Sequence, residues 1–119
     1  MSRPRAVTVL GWLFVAVGII SLGRQLVTFH GGRPALVAAL PGDFWYAAIS
    51  ALVAAVSGAF LLRGASWARW LLGAWLVFHV AIGLVHGVFT LAVHAVLAAV
   101  VLWLLFRPAA SAWFRRRDV

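Results

Sequence analysis

Trp70-Leu71-Leu72-Gly73-Ala74-Trp75-Leu76-Val77-Phe78-His79-Val80-Ala81-Ile82-Gly83-Leu84-Val85-His86-Gly87-Val88-Phe89-Thr90-Leu91-Ala92-Val93-His94 carries no charged side chain, and the run continues uncharged to Phe106. In all, 37 residues separate Arg69 from Arg107. A hydrocarbon core is about 30 Å thick and a helix rises about 1.5 Å per residue, so roughly 20 residues span it. The run is too long for one crossing and right for two. Folded as a hairpin about His86 and Gly87, it puts His79 and His94 eight and seven residues from the turn. They then share a depth on neighbouring antiparallel helices, as the one pair placed to carry chemistry.

Composition points the same way. Of 119 residues 66% are hydrophobic, more than a soluble domain of this size can cover with polar surface. The chain therefore reads as one membrane domain over 1–119. Its ten basic residues are all arginine, against two aspartates, for a formal net charge of +8. They sit at the ends of apolar segments, which points to topology and anionic lipid headgroups and away from nucleic acid. Cysteine is absent. That excludes disulfides, thiolate metal sites and the four-helix membrane redox enzymes that work through paired cysteines. No Asp or Glu lies deep within a span, which argues against the small multidrug exporters, dependent on a membrane carboxylate. Heavy use of Ala, Val, Leu, Gly and Arg matches GC-rich codons and a bacterial source.

Four apolar spans follow, about Ala6 to Phe29, Phe44 to Leu62, Ala68 to His86 and Val88 to Phe106, with 107–119 as a basic cytoplasmic tail. Arg3 and Arg5 before the first span resemble a signal peptide, but the apolar pattern outlasts a usual signal core, so an uncleaved span is expected. With four spans both termini share a side. Eight arginines (Arg3, Arg5, Arg63, Arg69, Arg107, Arg115, Arg116, Arg117) then face Arg24 and Arg33, which places both termini in the cytoplasm of an inner membrane. Arg63, Trp67, Arg69, Trp70, Arg107 and Arg115 to Arg117 are expected as interface anchors, with Trp103 and Trp113 beside them and Trp45 and Tyr46 at the outer surface. Residues 34–41 suggest a short surface helix or lid, and Asp43 a partner for Arg24 or Arg33. Leu62 to Arg69 echoes Phe106 to Arg115, for which a shared need for Arg and Trp anchors is the simpler account than an ancestral repeat.

The few polar residues inside the spans fall on one face of each helix. Thr8, Gly11, Gly18, Ser21 and Gln25 recur on the first, Tyr46, Ser50 and Ser57 on the second, Trp75, His79 and His86 on the third, Thr90 and His94 on the fourth. Counted inward, Ser21, Ser50, His79 and His94 lie roughly 9–12 Å below the outer surface. Gln25 and His86 sit higher, with His30 at the end of the first helix. One reading is structural, a hydrogen-bonded layer that fixes helix register. The other is functional, with three chemistries. His79 and His94 would ligate a b-type haem, or with His86 or His30 hold Cu or Zn, or relay protons near neutral pH.

Phe60-Leu61-Leu62-Arg63-Gly64-Ala65-Ser66-Trp67-Ala68-Arg69-Trp70, followed by Trp75, Phe78-His79, His86 and Val93-His94, resembles small uncharacterised four-helix bacterial membrane proteins. The resemblance covers the last three spans and implies a fold and a location, with no activity, ligand or site residue attached. The expected protein is all-α: four transmembrane helices in an antiparallel bundle, termini inside. Its expected role is non-enzymatic and accessory, as a homo-oligomer through Gly and Ala faces or within a larger complex. A histidine-layer module is the alternative.

Overall fold

The computed structural model describes residues 2–30 and 41–117, and side chains over 2–27 and 45–117. The surface helix or lid expected over 34–41 lies outside the described residues except for Pro41. The side chains of His30, Arg33 and Asp43 lie outside them too. Five helices are described: α1 (Arg5–His30), α2 (Pro41–Arg63), α3 (Ser66–His86), α4 (Val88–Phe106) and α5 (Pro108–Arg117). The first four contain stretches long and apolar enough to cross a membrane. α4 has the expected bounds. α2 starts three residues early because proline, lacking an amide hydrogen, suits a first helical turn.

The turns are glycine turns. Gly64, at φ +86°, ends α2: its N–H donates to Leu61 O, and Ala65 N–H to Phe60 O, at 3.1 and 3.0 Å. This pair of backward bonds satisfies carbonyls that a helix end leaves open. A single residue, Gly87, joins α3 to α4 with φ +117° and ψ 164°, a region that side chains with a Cβ avoid. Gly83 permits the sharp return, since a Cβ there would stand 2.8 Å from the Leu91 Cα.

Glycine also sets the α1–α2 contact. A Cβ on Gly18 would stand 2.5 Å from the Ala51 carbonyl oxygen, and one on Gly58 2.6 Å from that of Gly11. Backbones this close are how membrane helices gain packing without a hydrophobic drive between them. Outward, Trp12, Ile19, Ile20, Trp45 and Trp70 are all at least 60% exposed, a surface fit for lipid chains.

Burial is uneven along the bundle. The buried core is Val7, Leu10 and Phe14 of α1, Ala54 and Leu61 of α2, Ala68, Leu72 and Leu76 of α3, and Ala98, Val101 and Leu105 of α4. Apart from Phe14, Ala54, Leu76 and Ala98 near the middle, these residues belong to the arginine-bearing half. There the segment expected as a basic tail folds as α5, which buries Ala110, Trp113 and Phe114 against the bundle. Those apolar positions lie three and four apart on one stripe, Pro108 suits the first turn, and Arg115 to Arg117 complement the helix C-terminus. The histidine half holds small and polar residues instead, and is more open.

Candidate functional site

α2 and α3 meet at Ser50. The Trp75 indole N–H donates to Ser50 Oγ at 2.9 Å, and His79 Nε2 lies 3.5 Å from the same oxygen. His79 Nδ1 is 2.9 Å from the Trp75 carbonyl one turn back, so Nδ1 carries the hydrogen and donates it. In the neutral imidazole Nε2 is then the lone-pair nitrogen. Indole is a donor only, so the polarity runs one way, Trp75 to Ser50 to His79. The i, i+4 spacing on α3 lays the Trp75 and His79 rings against each other, centroids 4.1 Å apart.

These residues face a cleft of about 310 Å³ between α1, α2 and α3, whose polar lining is Ser21, Gln25, Tyr46, Ser50, Trp75 and His79. Val17 and three alanines of α2 supply the apolar wall. One turn towards the arginine half, Phe14 meets Trp75 edge to face at 5.9 Å. Tyr46 rests on Phe78 with centroids 6.0 Å apart. Five polar residues expected in one layer, from three helices, thus line one cleft: Ser21, Gln25, Tyr46, Ser50 and His79. The other members lie elsewhere. His94 stands behind His79, centroids 6.1 Å apart and ring planes 26° from parallel, with Nδ1 donating to the Thr90 carbonyl at 2.8 Å. Thr90 contributes that carbonyl. His86 is exposed and donates to its own helix at Ile82 O, 3.0 Å away.

A haem held by His79 and His94 does not fit this arrangement. The coordinating nitrogen of His79 is turned to Ser50 on α2, and α3 and α4 touch one turn away at Gly83 and Leu91. A porphyrin between the two imidazoles would have to force those helices apart. For copper or zinc, no three His, Cys, Asp or Glu side chains come together among the described residues, and the His30 side chain lies outside them. What the cleft offers is hydrogen bonding: an imidazole acceptor, hydroxyls, an amide and aromatic faces.

The expected anchors divide. Arg63 is exposed with its guanidinium 5.5 Å over the Phe60 ring, Trp67 packs on Phe60 at 4.7 Å, and Trp70 on Phe106 at 4.9 Å. Arg107 lies over Trp103 at 5.8 Å and Arg117 over Trp113 at 5.7 Å. Arg115 and Arg116 are exposed on α5. Arg69 is different, buried at 7% exposure. It donates to Leu105 O at 3.2 Å, Ser111 Oγ at 3.1 Å and Ser66 Oγ at 2.8 Å. Ser66 and Ser111 belong to the two segments that echo one another in sequence, and both converge on this guanidinium. Arg3, read only as a topogenic charge, donates to Leu62 O at 2.7 Å and Thr8 Oγ1 at 2.9 Å. Two arginines thus neutralise the carbonyl ends of α2 and α4, where a helix is partially negative. Trp75 and Arg69 both went unread as hydrogen-bond donors. The available signals were a Trp four residues before an intramembrane His, and a Ser three residues before an Arg.

No protein-family model, curated protein or solved structure matches this chain.

Proposed function

We propose that this chain is a multi-pass protein of the bacterial cytoplasmic membrane, an antiparallel four-helix bundle with both termini inside. On this reading it is a non-enzymatic accessory module that holds a small lipid-borne ligand in its outer half. The orientation rests on the eight-to-two division of the arginines. The antiparallel order rests on contacts that run in opposite senses, Gly11 with Leu62 against Gly18 with Ala51, and His79 with His94 against Trp70 with Phe106.

The observation that carries the ligand reading is the Trp75–Ser50–His79 chain, which ends on an acceptor nitrogen of a cleft-lining residue. Hydrogen bonds between membrane helices average about 0.6 kcal/mol, with a maximum near 1.7. That is a small return for burying imidazole and indole groups, and intramembrane ionisable residues ordinarily mark function. The chemistry narrows the ligand. Nε2 has one lone pair, met at 3.5 Å by Ser50, so a ligand hydroxyl takes over as its donor while the Ser50 hydroxyl turns to donate to the ligand oxygen. Gln25, Tyr46 and Ser21 serve a second polar group, and Trp75 offers a flat apolar face. An uncharged aromatic hydroxyl compound of hydroquinone type meets each demand. The cleft is at the small end of ligand sites, about 300–1,000 Å³.

Decylhydroquinone titrated anaerobically into the purified protein tests this through tryptophan fluorescence. Saturable quenching is expected, weakened about ten-fold or more in His79→Phe, the loss of one good buried hydrogen bond, and unchanged in His86→Phe. Equal binding by wild type and His79→Phe, or none by either, sinks the reading. The orientation is tested separately by single cysteines in a chain that has none of its own. Val88→Cys should react with an impermeant external thiol reagent and Ser2→Cys should not; the opposite pattern inverts the topology.

A further inference from the structure

A second groove lies on the α3–α4 hairpin, in the arginine half. Trp70, Gly73, Ala74 and Val77 of α3 and Leu102 and Phe106 of α4 line about 330 Å³, with Arg69 at one end. Its floor is shallow side chains: Ala74 is exposed, and a Cβ on Gly73 would already stand 3.1 Å from Leu102 Cδ2. Positions 70, 73, 74 and 77 form one helical stripe, so the groove follows the helix axis for about 10 Å. That is the direction of an acyl chain in a bilayer. The Trp70 and Phe106 rings, 4.9 Å apart, close its arginine end.

Arg107 follows Phe106 at that closure. Its side chain is partly exposed, with the guanidinium 5.8 Å over the Trp103 ring. A phosphate oxygen is the acceptor that suits a guanidinium at the surface. The surrounding charge selects further. The chain carries +8 overall, and Arg115, Arg116 and Arg117 are exposed on the last turn of α5. We infer that this groove holds an acyl chain of an anionic phospholipid whose phosphate is bound by Arg107. The inference rests on the chain spanning a bilayer and is independent of any ligand at His79.

The test is native mass spectrometry of the full chain in neutral detergent, offered equimolar phosphatidylglycerol and phosphatidylcholine with identical acyl chains. One retained phosphatidylglycerol is expected, preferred about five-fold, as roughly 1 kcal/mol for an arginine near the headgroups implies. Arg107→Gln should abolish the preference and Arg107→Lys retain it, while Ala74→Phe, which fills the groove from an exposed position, should remove the bound lipid. The thermal unfolding transition of each variant in the same detergent reports that it is folded, whatever binds at His79. Equal retention of both lipids by wild type, or a preference that survives Arg107→Gln or Ala74→Phe, overturns the inference.

Discussion

Arg69 Nη1 donates to the carbonyl of Leu105 at 3.2 Å, tying the first turn of α3 to the last turn of α4. Leu105 O is among the carbonyls that a helix end leaves without an intrahelical partner. Ser111 completes the joint: its hydroxyl donates to Phe106 O at 3.1 Å and accepts from Arg69. The guanidinium is also flanked by the Phe106 and Phe114 rings, 4.7 and 4.5 Å from their centroids. One buried cation therefore joins α3, α4 and α5 within the well-packed half.

Removing that cation should release α5. Arg69→Leu leaves a carbonyl and two hydroxyls without their charged donor and is expected to cost about 2–4 kcal/mol. Arg69→Lys keeps the charge but lacks the planar fork that reaches three acceptors, so it should recover only part of the loss. Thermal unfolding gives the magnitude. Ala110→Cys, fully buried in the native bundle, gives the location. It should be protected from thiol reagents alone and reactive when combined with Arg69→Leu. Protection in both would show that α5 docks without the arginine.

The α1–α2 contact makes a second prediction. A side chain at Gly18 meets the Ala51 carbonyl oxygen at 2.5 Å and the Ala55 backbone nitrogen at 2.6 Å, neither of which can rotate away. Gly18→Val should therefore destabilise by about 3 kcal/mol, the upper part of the usual range for overpacking. It should also disturb the cleft, because Val17 and Ser21 on the same stretch of α1 form its wall. Gly23 is the control, with nothing within 4 Å of a Cβ. There Gly→Ala should stabilise slightly, by about 0.5–1 kcal/mol, as expected for an exposed helix interior. Equal effects at the two glycines would mean that α1 does not pack as described.

Much of this frame was legible beforehand, and the reasons are local. The charge-free run sets two spans, and hairpin arithmetic alone puts His79 and His94 at one depth. The phase of Ser21, Gln25, Tyr46 and Ser50 follows from the period of a helix. What escaped depends on distant partners. Ser111 is 42 residues from Arg69, and nothing in either neighbourhood marks the bond. α5 was hidden because three consecutive arginines read as a solvated tail, although Ala110, Trp113 and Phe114 already trace a helical stripe. The Trp75 donor needed the register of α2 against α3, which no property of α3 alone supplies.

Gly87 carries the whole connection between α3 and α4, and its backbone angles lie in territory that other residues enter only under strain. Gly87→Ala is expected to cost about 1–3 kcal/mol, seen as a lower unfolding temperature. The N–H to Gly83 O bond at 3.1 Å should survive, since alanine keeps its amide. No loss of stability would mean that the turn has other conformations open to it.

Two serines on one face of α2, seven residues apart, should respond oppositely to the same substitution. Ser50 accepts the Trp75 N–H at 2.9 Å, so Ser50→Ala strands an indole donor in the bundle and removes the hydroxyl facing His79. A loss of about 1–2 kcal/mol is expected, since an unsatisfied buried donor costs more than a formed bond contributes. Ser57 is fully buried and its Oγ has no partner among the described residues. Ser57→Ala deletes that stranded oxygen at the cost of little volume, so stability should hold or rise by up to about 1 kcal/mol. Hydroquinone binding adds the discriminating readout: it should weaken in Ser50→Ala and stay unchanged in Ser57→Ala. If Ser50→Ala costs stability but leaves binding intact, the Trp75–Ser50–His79 chain fixes helix register and does not shape a ligand site.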